Sequence, residues 1–229
     1  MNTWVNEQAE RWAISDSDYV RCLRCEEMRL EQFRASQRQF YFAVRYFSRP
    51  MAALMSRVPS SVLRQGLMHN LMDEHGWDDG GSGINAALAH DRTFVRFLES
   101  LGDYIPIEQE LEGPAVRAFN AGLMGVCLTE PVEMAFGCLG IIEYVFADLS
   151  AAIGDAVVRR GWVLENELVH YKLHAEIDKR HAADFFDVVA SAWDSGGESK
   201  RAIQNGVHLG LHLFERLYAD LWRATKAVL

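Results

Sequence analysis

The sequence predicts an all-α bundle of about seven helices, and three observations carry the prediction. Apolar residues recur at the three-to-four-residue spacing of a helix face in one segment after another. Alternating strand patterns and internal repeats are absent. One long segment, Glu130 to about Arg160, is apolar on nearly every side (Met134, Phe136, Leu139, Ile141, Ile142, Val145, Phe146, Leu149), as a helix enclosed by others must be.

The elements follow in order. Residues 5–26 are mixed, and Ser15-Asp16-Ser17-Asp18 offers N-cap oxygens to a helix after it. Leu30 to Met55 places Phe33, Phe40, Phe42, Val44, Phe47, Met51 and Leu54 at the spacing of a long buried helix, which Pro50 should kink or break. Val58-Pro59-Ser60-Ser61 is a second start signal, and Val62 to Glu74 repeats Leu63, Leu67 and Leu71. The pattern then stops at Gly76-Trp77-Asp78-Asp79-Gly80-Gly81-Ser82-Gly83, a loop-like insertion. Asn85 to Leu101 resumes helix, Gly102 to Pro114 is an acidic connection, and Ala115 to Leu128 is helical again. Thr129 reads as the N-cap of the central apolar helix. Glu165 to Ala192, a turn at Asp194–Ser199, and an amphipathic helix over Lys200–Leu229 complete the chain.

At 229 residues the expectation is one domain spanning 1–229. A net charge of −9 excludes the clustered cations of a nucleic-acid surface. Met1 to Glu10 is largely polar, unlike a secretory leader, and no run of 18 apolar residues offers a membrane span, so a cytoplasmic protein with no membrane partner is expected. Cys22 and Cys25 form one C-x-x-C without a second pair, while Cys127 and Cys138 sit in apolar segments; buried or half-buried free thiols are the expectation.

The chemistry concentrates in His170-Tyr-Lys-Leu-His-Ala-Glu-Ile-Asp-Lys-Arg-His-Ala-Ala-Asp184. At about 100° per residue, His174, Asp178 and His181 fall within roughly 60° of one another on a helix. Two imidazoles and a carboxylate from adjacent turns make half of a divalent-metal site. Glu143 is a second clue, because Cys138-Leu-Gly-Ile-Ile-Glu-Tyr-Val-Phe-Ala147 holds no other charge. A lone carboxylate in an apolar core costs several kcal/mol unless it is protonated, paired or bound to metal. Glu133, near the start of that helix, answers instead to the helix dipole. The third clue is Asn70-Leu-Met-Asp-Glu-His-Gly76, where Glu74 follows the apolar face inward; Asp73 and His75 read as a polar C-terminal turn.

Taken together, Asn-Leu-x-Asp-Glu-x-Gly, Leu-Gly-x-x-Glu-Tyr and His-x-x-x-Asp-x-x-His make a chain that resembles the heme-oxygenase-like diiron oxidases. That family includes the Chlamydia death-domain-associated protein, N-oxygenases of amino-acid-derived substrates and a fatty-acid decarboxylase. The resemblance covers about Leu30 to Asp187 and extends to the aromatic helix Gln39–Pro50, which looks like the family's first core helix. It implies a heme-oxygenase-like bundle with a metal site of Glu74, His90, Glu143, His174, Asp178 and His181, of which Glu74, Glu143 and the His174–His181 trio also carry the catalysis. His90 is matched through Ala89-His90-Asp-Arg-Thr-Phe94. The sixteen residues from Glu74 to His90 are a longer gap than the family's, and a rigid insertion would make His75 or Asp79 the alternative ligand.

The resemblance further implies two Fe(II) ions per chain with O₂ as co-substrate, Glu74 or Glu143 bridging the ions, and oxidation of a small, amino-acid-derived substrate by N-oxygenation or oxidative C–C cleavage within a biosynthetic pathway. Asp184 and His170 suit the orientation of a ligating imidazole. Tyr41, Tyr46 and Tyr144 are candidates for electron transfer, with packing the commoner role. Substrate is expected beside the aromatic helix, and Arg45 or Arg117 is named to meet a carboxylate, without a spacing argument. A homodimer is expected by analogy. The rivals are a metal-independent thiaminase-like hydrolase using Cys127 or Cys138, an iron-free pyrroloquinoline-quinone-synthase-like oxidase, and a non-enzymatic interaction module; heme oxygenase itself needs an early axial His, and none precedes His69.

Overall fold

Helical periodicity resolves into nine α-helices in the computed structural model, which describes residues 1–78, 80–81 and 83–226. They are α1 (Asn2–Trp12), α2 (Asp18–Arg24), α3 (Leu30–Arg57), α4 (Gln65–Glu74), α5 (His90–Ser100), α6 (Pro114–Thr129), α7 (Val132–Arg159), α8 (Val169–Ser195) and α9 (Gly197–Lys226). Between α4 and α5 a short hairpin pairs β1 (Trp77–Asp78) antiparallel to β2 (Gly83–Ile84), with Trp77 opposite Ile84.

The apolar segment around Glu143 becomes α7, the axis of the bundle. Its buried residues lie on every side of the helix, because α8 and α9 pack along most of its length and α6, α2 and α3 cover the rest. Among the described residues α7 is the one helix long and apolar enough to cross a membrane, yet 83% of its most apolar window is buried inside the bundle. Backbone meets backbone where α9 crosses α7: a Cβ on Gly206 would lie 2.0 Å from the Met134 carbonyl oxygen. Only glycine permits that approach.

Several boundaries differ from the sequence expectation, each for a local reason. The mixed N-terminal stretch forms two separate helices, and Ser17 precedes α2 without its hydroxyl bonding a helix amide. Pro50 does not break α3, which runs unbroken through it. The missing proline N–H removes one helical bond, while the buried Pro50, Met51 and Leu54 hold both halves against the core. α4 begins at Gln65 rather than Val62, since residues 61–64 form a turn in which the Leu63 amide donates to the Ser60 hydroxyl. Thr129 closes α6 by donating to the Gly125 carbonyl at 2.7 Å; Pro131 disfavours helix at Glu130, so α7 starts only at Val132. Asn85 does not open α5. Its side chain accepts from the Ala87 amide and caps a single 3₁₀ turn, and α5 begins at His90. The turn expected over Asp194–Ser199 shrinks to Gly196.

Gly206→Ala should therefore destabilise the bundle by about 3 kcal/mol or more, because the clash is with backbone that cannot move aside. Chemical denaturation of the two proteins measures it; an unchanged midpoint would contradict the α7–α9 contact.

Candidate metal centre

Four helices bring the predicted residues together. His174, Asp178 and His181 project from one face of α8, Glu143 from the middle of α7, Glu74 from the last residue of α4 and His90 from the first residue of α5. No side chain of the six is more than 7% exposed. Asp178, His181 and Glu143 offer ligand atoms that all lie within 4.8 Å of one another. On the other side, Glu74 Oε1 lies 2.9 Å from His90 Nδ1, and the His90 and His174 rings are 4.4 Å apart, edge to face. Asp178 Oδ1 stands between the two groups, 2.9 Å from His174 Nδ1 and 3.7 Å from His181 Nδ1.

The long gap from Glu74 to His90 is absorbed by the hairpin. The Asn85 amide donates to the Gly76 carbonyl at 2.8 Å and closes its root, so the insertion loops outward and the end of α4 meets the start of α5. Gly76 takes φ +86°, and a Cβ there would lie 2.2 Å from the Asn85 carbonyl oxygen. His75 points away: it is exposed, with its Nδ1 2.7 Å from the Leu71 carbonyl. Asp79 lies outside the described residues.

The surroundings of the six differ from the expectation. His170 is fully buried with its ring 4.2 Å from that of His174, yet it hydrogen-bonds none of them. Its partner is Thr93. The Thr93 hydroxyl donates to the His90 carbonyl at 3.0 Å, which leaves its oxygen to accept from His170 Nδ1, also at 3.0 Å. Asp184 is turned toward a surface cleft with His69, Met72, Asp73, Trp77 and Arg180. The carboxylate that reaches an imidazole of the group is Asp73: its Oδ2 accepts from His181 Nε2 at 3.0 Å and from Arg180 at 2.6 Å. Helix periodicity missed it, because a residue next to Glu74 projects about 100° away from it. The signal available was the second nitrogen of each candidate imidazole, which requires a partner of its own.

Electrostatics set the demands of the site. Burial pushes Glu143 up, and nearby Asp178 adds to it, to about 7. Burial pushes Asp178 up to about 8 against the pull of His181 and His90. Burial also opposes ionisation of Glu74, but His90 outweighs it and the carboxyl lies below its ordinary value. Burial, reinforced by His90, drops His174 to about 3. His181 goes the other way, to about 10, since the carboxylates of Asp73, Glu143 and Asp178 overcome its burial. Glu143 Oε1, Asp178 Oδ2, His174 Nε2 and His181 Nδ1 are all buried with no hydrogen-bond partner. Unsatisfied polar atoms cost about 1–3 kcal/mol each, and three of these four residues, Glu143, Asp178 and His181, bring ligand atoms within 4.8 Å of one another. A mixed set of carboxylate oxygens and imidazole nitrogens fits iron, manganese or zinc.

A cavity of about 40 Å³ opens onto Glu74, His90, Glu143 and His174 beside α3, where substrate was expected. Its other walls are apolar: Phe40, Ala43, Val44 and Phe47 of α3, Phe119 of α6, Ile142 and Phe146 of α7, and Phe214 of α9. Neither named arginine reaches it. Arg45 is exposed on α3, and Arg117 pairs with Glu112 at 3.2 Å on the surface. The tyrosines pack elsewhere: Tyr41 lies against Phe42 and Phe94, Tyr46 beneath Arg49, and the Tyr144 hydroxyl donates to Asn6.

Comparison with known proteins gives the family and the fold. The family model of iron-containing redox enzymes matches residues 34–215. No curated protein matches the chain in sequence. In structure it is similar to a CADD-like protein from Nostoc punctiforme (TM-score 0.79, 13% identity, covering 98% of this chain and 96% of that one). It is also similar to a TenA homologue from Pseudomonas syringae (0.74, 13%, 96% and 92%) and another from Pyrococcus furiosus (0.68, 14%, 96% and 98%).

All four cysteines are free; Cys127 and Cys138 are buried and Cys22 half-buried, but Cys25, just past the end of α2, is exposed rather than covered. Burial pushes the Cys127 thiol up to about 12 and Cys138 higher still. Thiol titration of the native protein should count Cys25 and, slowly, Cys22; Cys127 and Cys138 should react only after unfolding. Rapid labelling of either buried thiol would restore a cysteine nucleophile to consideration.

Proposed function

The chain belongs to the iron-containing redox enzyme family, and from that premise we propose that it is an O₂-dependent non-heme diiron oxidase. The observation that carries the reading is that Glu143, Asp178 and His181 bring ligand atoms within 4.8 Å of one another, each with a partnerless buried donor atom, as His174 beside them also has. Glu143, Asp178 and His181 would hold one Fe(II); Glu74, His90 and His174 would hold the other, with Asp178 between them. A ferrous pair supplies the electrons and open coordination positions that O₂ activation requires.

The chain's own residues then do three things. The carboxylates neutralise the ions and give up protons to admit them. The aromatic wall of Phe40, Phe47, Phe119, Phe146 and Phe214 keeps water from the reacting centre. The same wall selects what approaches. With no lysine or arginine among its lining residues, the wall meets the hydrocarbon portion of the substrate, and a carboxylate would find its cationic partner in the ferrous centre itself. Oxidation at carbon, including oxidative C–C cleavage, fits these walls better than N-oxygenation of a charged group. The hydrolase alternative lacks an ionisable thiol at the cavity, because neither Cys127 nor Cys138 lines it and burial holds both protonated. The metal-free oxidase alternative leaves the converging donors uncompensated.

Protein reconstituted anaerobically with Fe(II) should hold about two ions per chain, and Glu143→Ala or His174→Ala should lose most of that iron and O₂-dependent turnover while far-UV circular dichroism stays unchanged. Wild-type protein that folds but takes up no iron would sink the reading.

Affinity for Fe(II) should fall as pH falls. With Glu143 raised to about 7, Asp178 to about 8 and His181 to about 10, all three hold protons below those values, and the metal must displace them. The loss should approach tenfold per pH unit for each proton displaced. Anaerobic titrations near pH 6 and near pH 8 measure it; equal affinity at both would mean that these carboxyls do not bind the metal.

A further inference from the structure

Resting on the diiron reading, we propose that Asp73 is a positioning residue: it holds the His181 imidazole so that Nδ1, and not the opposite edge of the ring, faces the metal. His181 is fully buried and touched by carboxylates on two sides. The sides are not equivalent. Nε2 is 3.0 Å from Asp73 Oδ2, a hydrogen bond; Nδ1 is 3.7 Å from both Glu143 Oε2 and Asp178 Oδ1, too far for one, and counts among the partnerless atoms. A ring anchored at Nε2 with its other nitrogen facing two carboxylates at that spacing is arranged around something shared by all three. With Nε2–H held by Asp73, Nδ1 is the nitrogen that gives up its proton and turns its lone pair to that role.

The end of α4 makes this arrangement economical. Consecutive residues on a helix diverge by about 100°, so Asp73 approaches His181 from the surface side while Glu74 enters the centre beside His90. Asp73 is itself oriented by Arg180, the neighbour of His181 on α8, whose side chain is 52% exposed. The plain structural reading is that Asp73 merely clamps α4 to α8 through Arg180. The two readings separate by variant.

Anaerobic Fe(II) titration, followed by metal content and by thermal unfolding of the metal-free protein, is the test. Asp73→Ala should weaken iron binding by about 10–100-fold, the usual effect of removing an imidazole's outer partner. Asp73→Asn, whose amide oxygen can accept the same Nε2–H, should recover most of that affinity. Arg180→Ala, which removes the clamp and leaves the imidazole bond, should bind iron within about twofold of wild type. If Asp73→Ala titrates like wild type, or Arg180→Ala loses as much affinity as Asp73→Ala, the positioning role is overturned. Should Asp73→Ala fail to fold, Asp73→Asn decides: near wild-type affinity supports the role, and a tenfold or greater loss overturns it. A wild-type chain that binds no iron overturns the diiron reading instead, and is distinguishable from either result.

Discussion

Three carboxylates and three imidazoles are enclosed where almost no water reaches them, and the rest of the molecule is arranged around that fact. Isolated charges in such surroundings cost several kcal/mol each. The protein relieves part of the cost internally: Glu74 is held beside His90, and His181 lies among Asp73, Glu143 and Asp178. Part remains, in the raised Glu143 and Asp178, the depressed His174 and four donor atoms that nothing satisfies. A divalent cation would offset this residue of unfavourable energy more completely than protons can, because one ion meets several lone pairs at once. Stability and reactivity thus draw on the same six groups.

Holding them there requires a scaffold that does not relax. α7 supplies it by being enclosed: α9 comes close enough at Gly206 to forbid a methyl group, and α8 lies along the opposite side. Glu143 is consequently held in the interior, its side chain only 4% exposed. The mobile-looking part of the sequence, the glycine-rich insertion, is kept out of the centre by its own pairing. The bond between Asn85 and Gly76 fixes the distance between two helix ends, which are the two places where Glu74 and His90 emerge.

Much of this was legible in the chain, in proportion to how local the cause is. His174, Asp178 and His181 share a helix, so a three-and-four-residue period places them on one face without further information. Glu143 betrays itself as the single charge in an apolar run. Helix starts were less legible, since Pro131, Asn85 and Ser60 act through local hydrogen bonds and steric conflicts that compete with periodicity. Pairings across helices were least legible. Asp73 on α4 meets His181 more than one hundred residues later, and Thr93 meets His170 across α5 and α8; nothing in the local pattern of either residue encodes that partner. His90 was matched only through the family resemblance and the aromatic Phe94 one turn beyond it, since its distance from Glu74 in sequence pointed the other way.

Chemistry and selection are divided between different helices. α4, α5, α7 and α8 carry the donors; α3, α6 and α9 contribute only hydrocarbon walls, with α7 facing both. A change at Phe40, Phe47, Phe119 or Phe214 can therefore alter what is admitted without moving a donor atom, whereas no change among the six donors can alter the substrate without disturbing the centre. That separation is what lets one helical frame serve different oxidations. The absence of an arginine from the lining is informative in the same way: the walls present apolar surface, so any charged group of a substrate would have to be met by the donor centre or its metal.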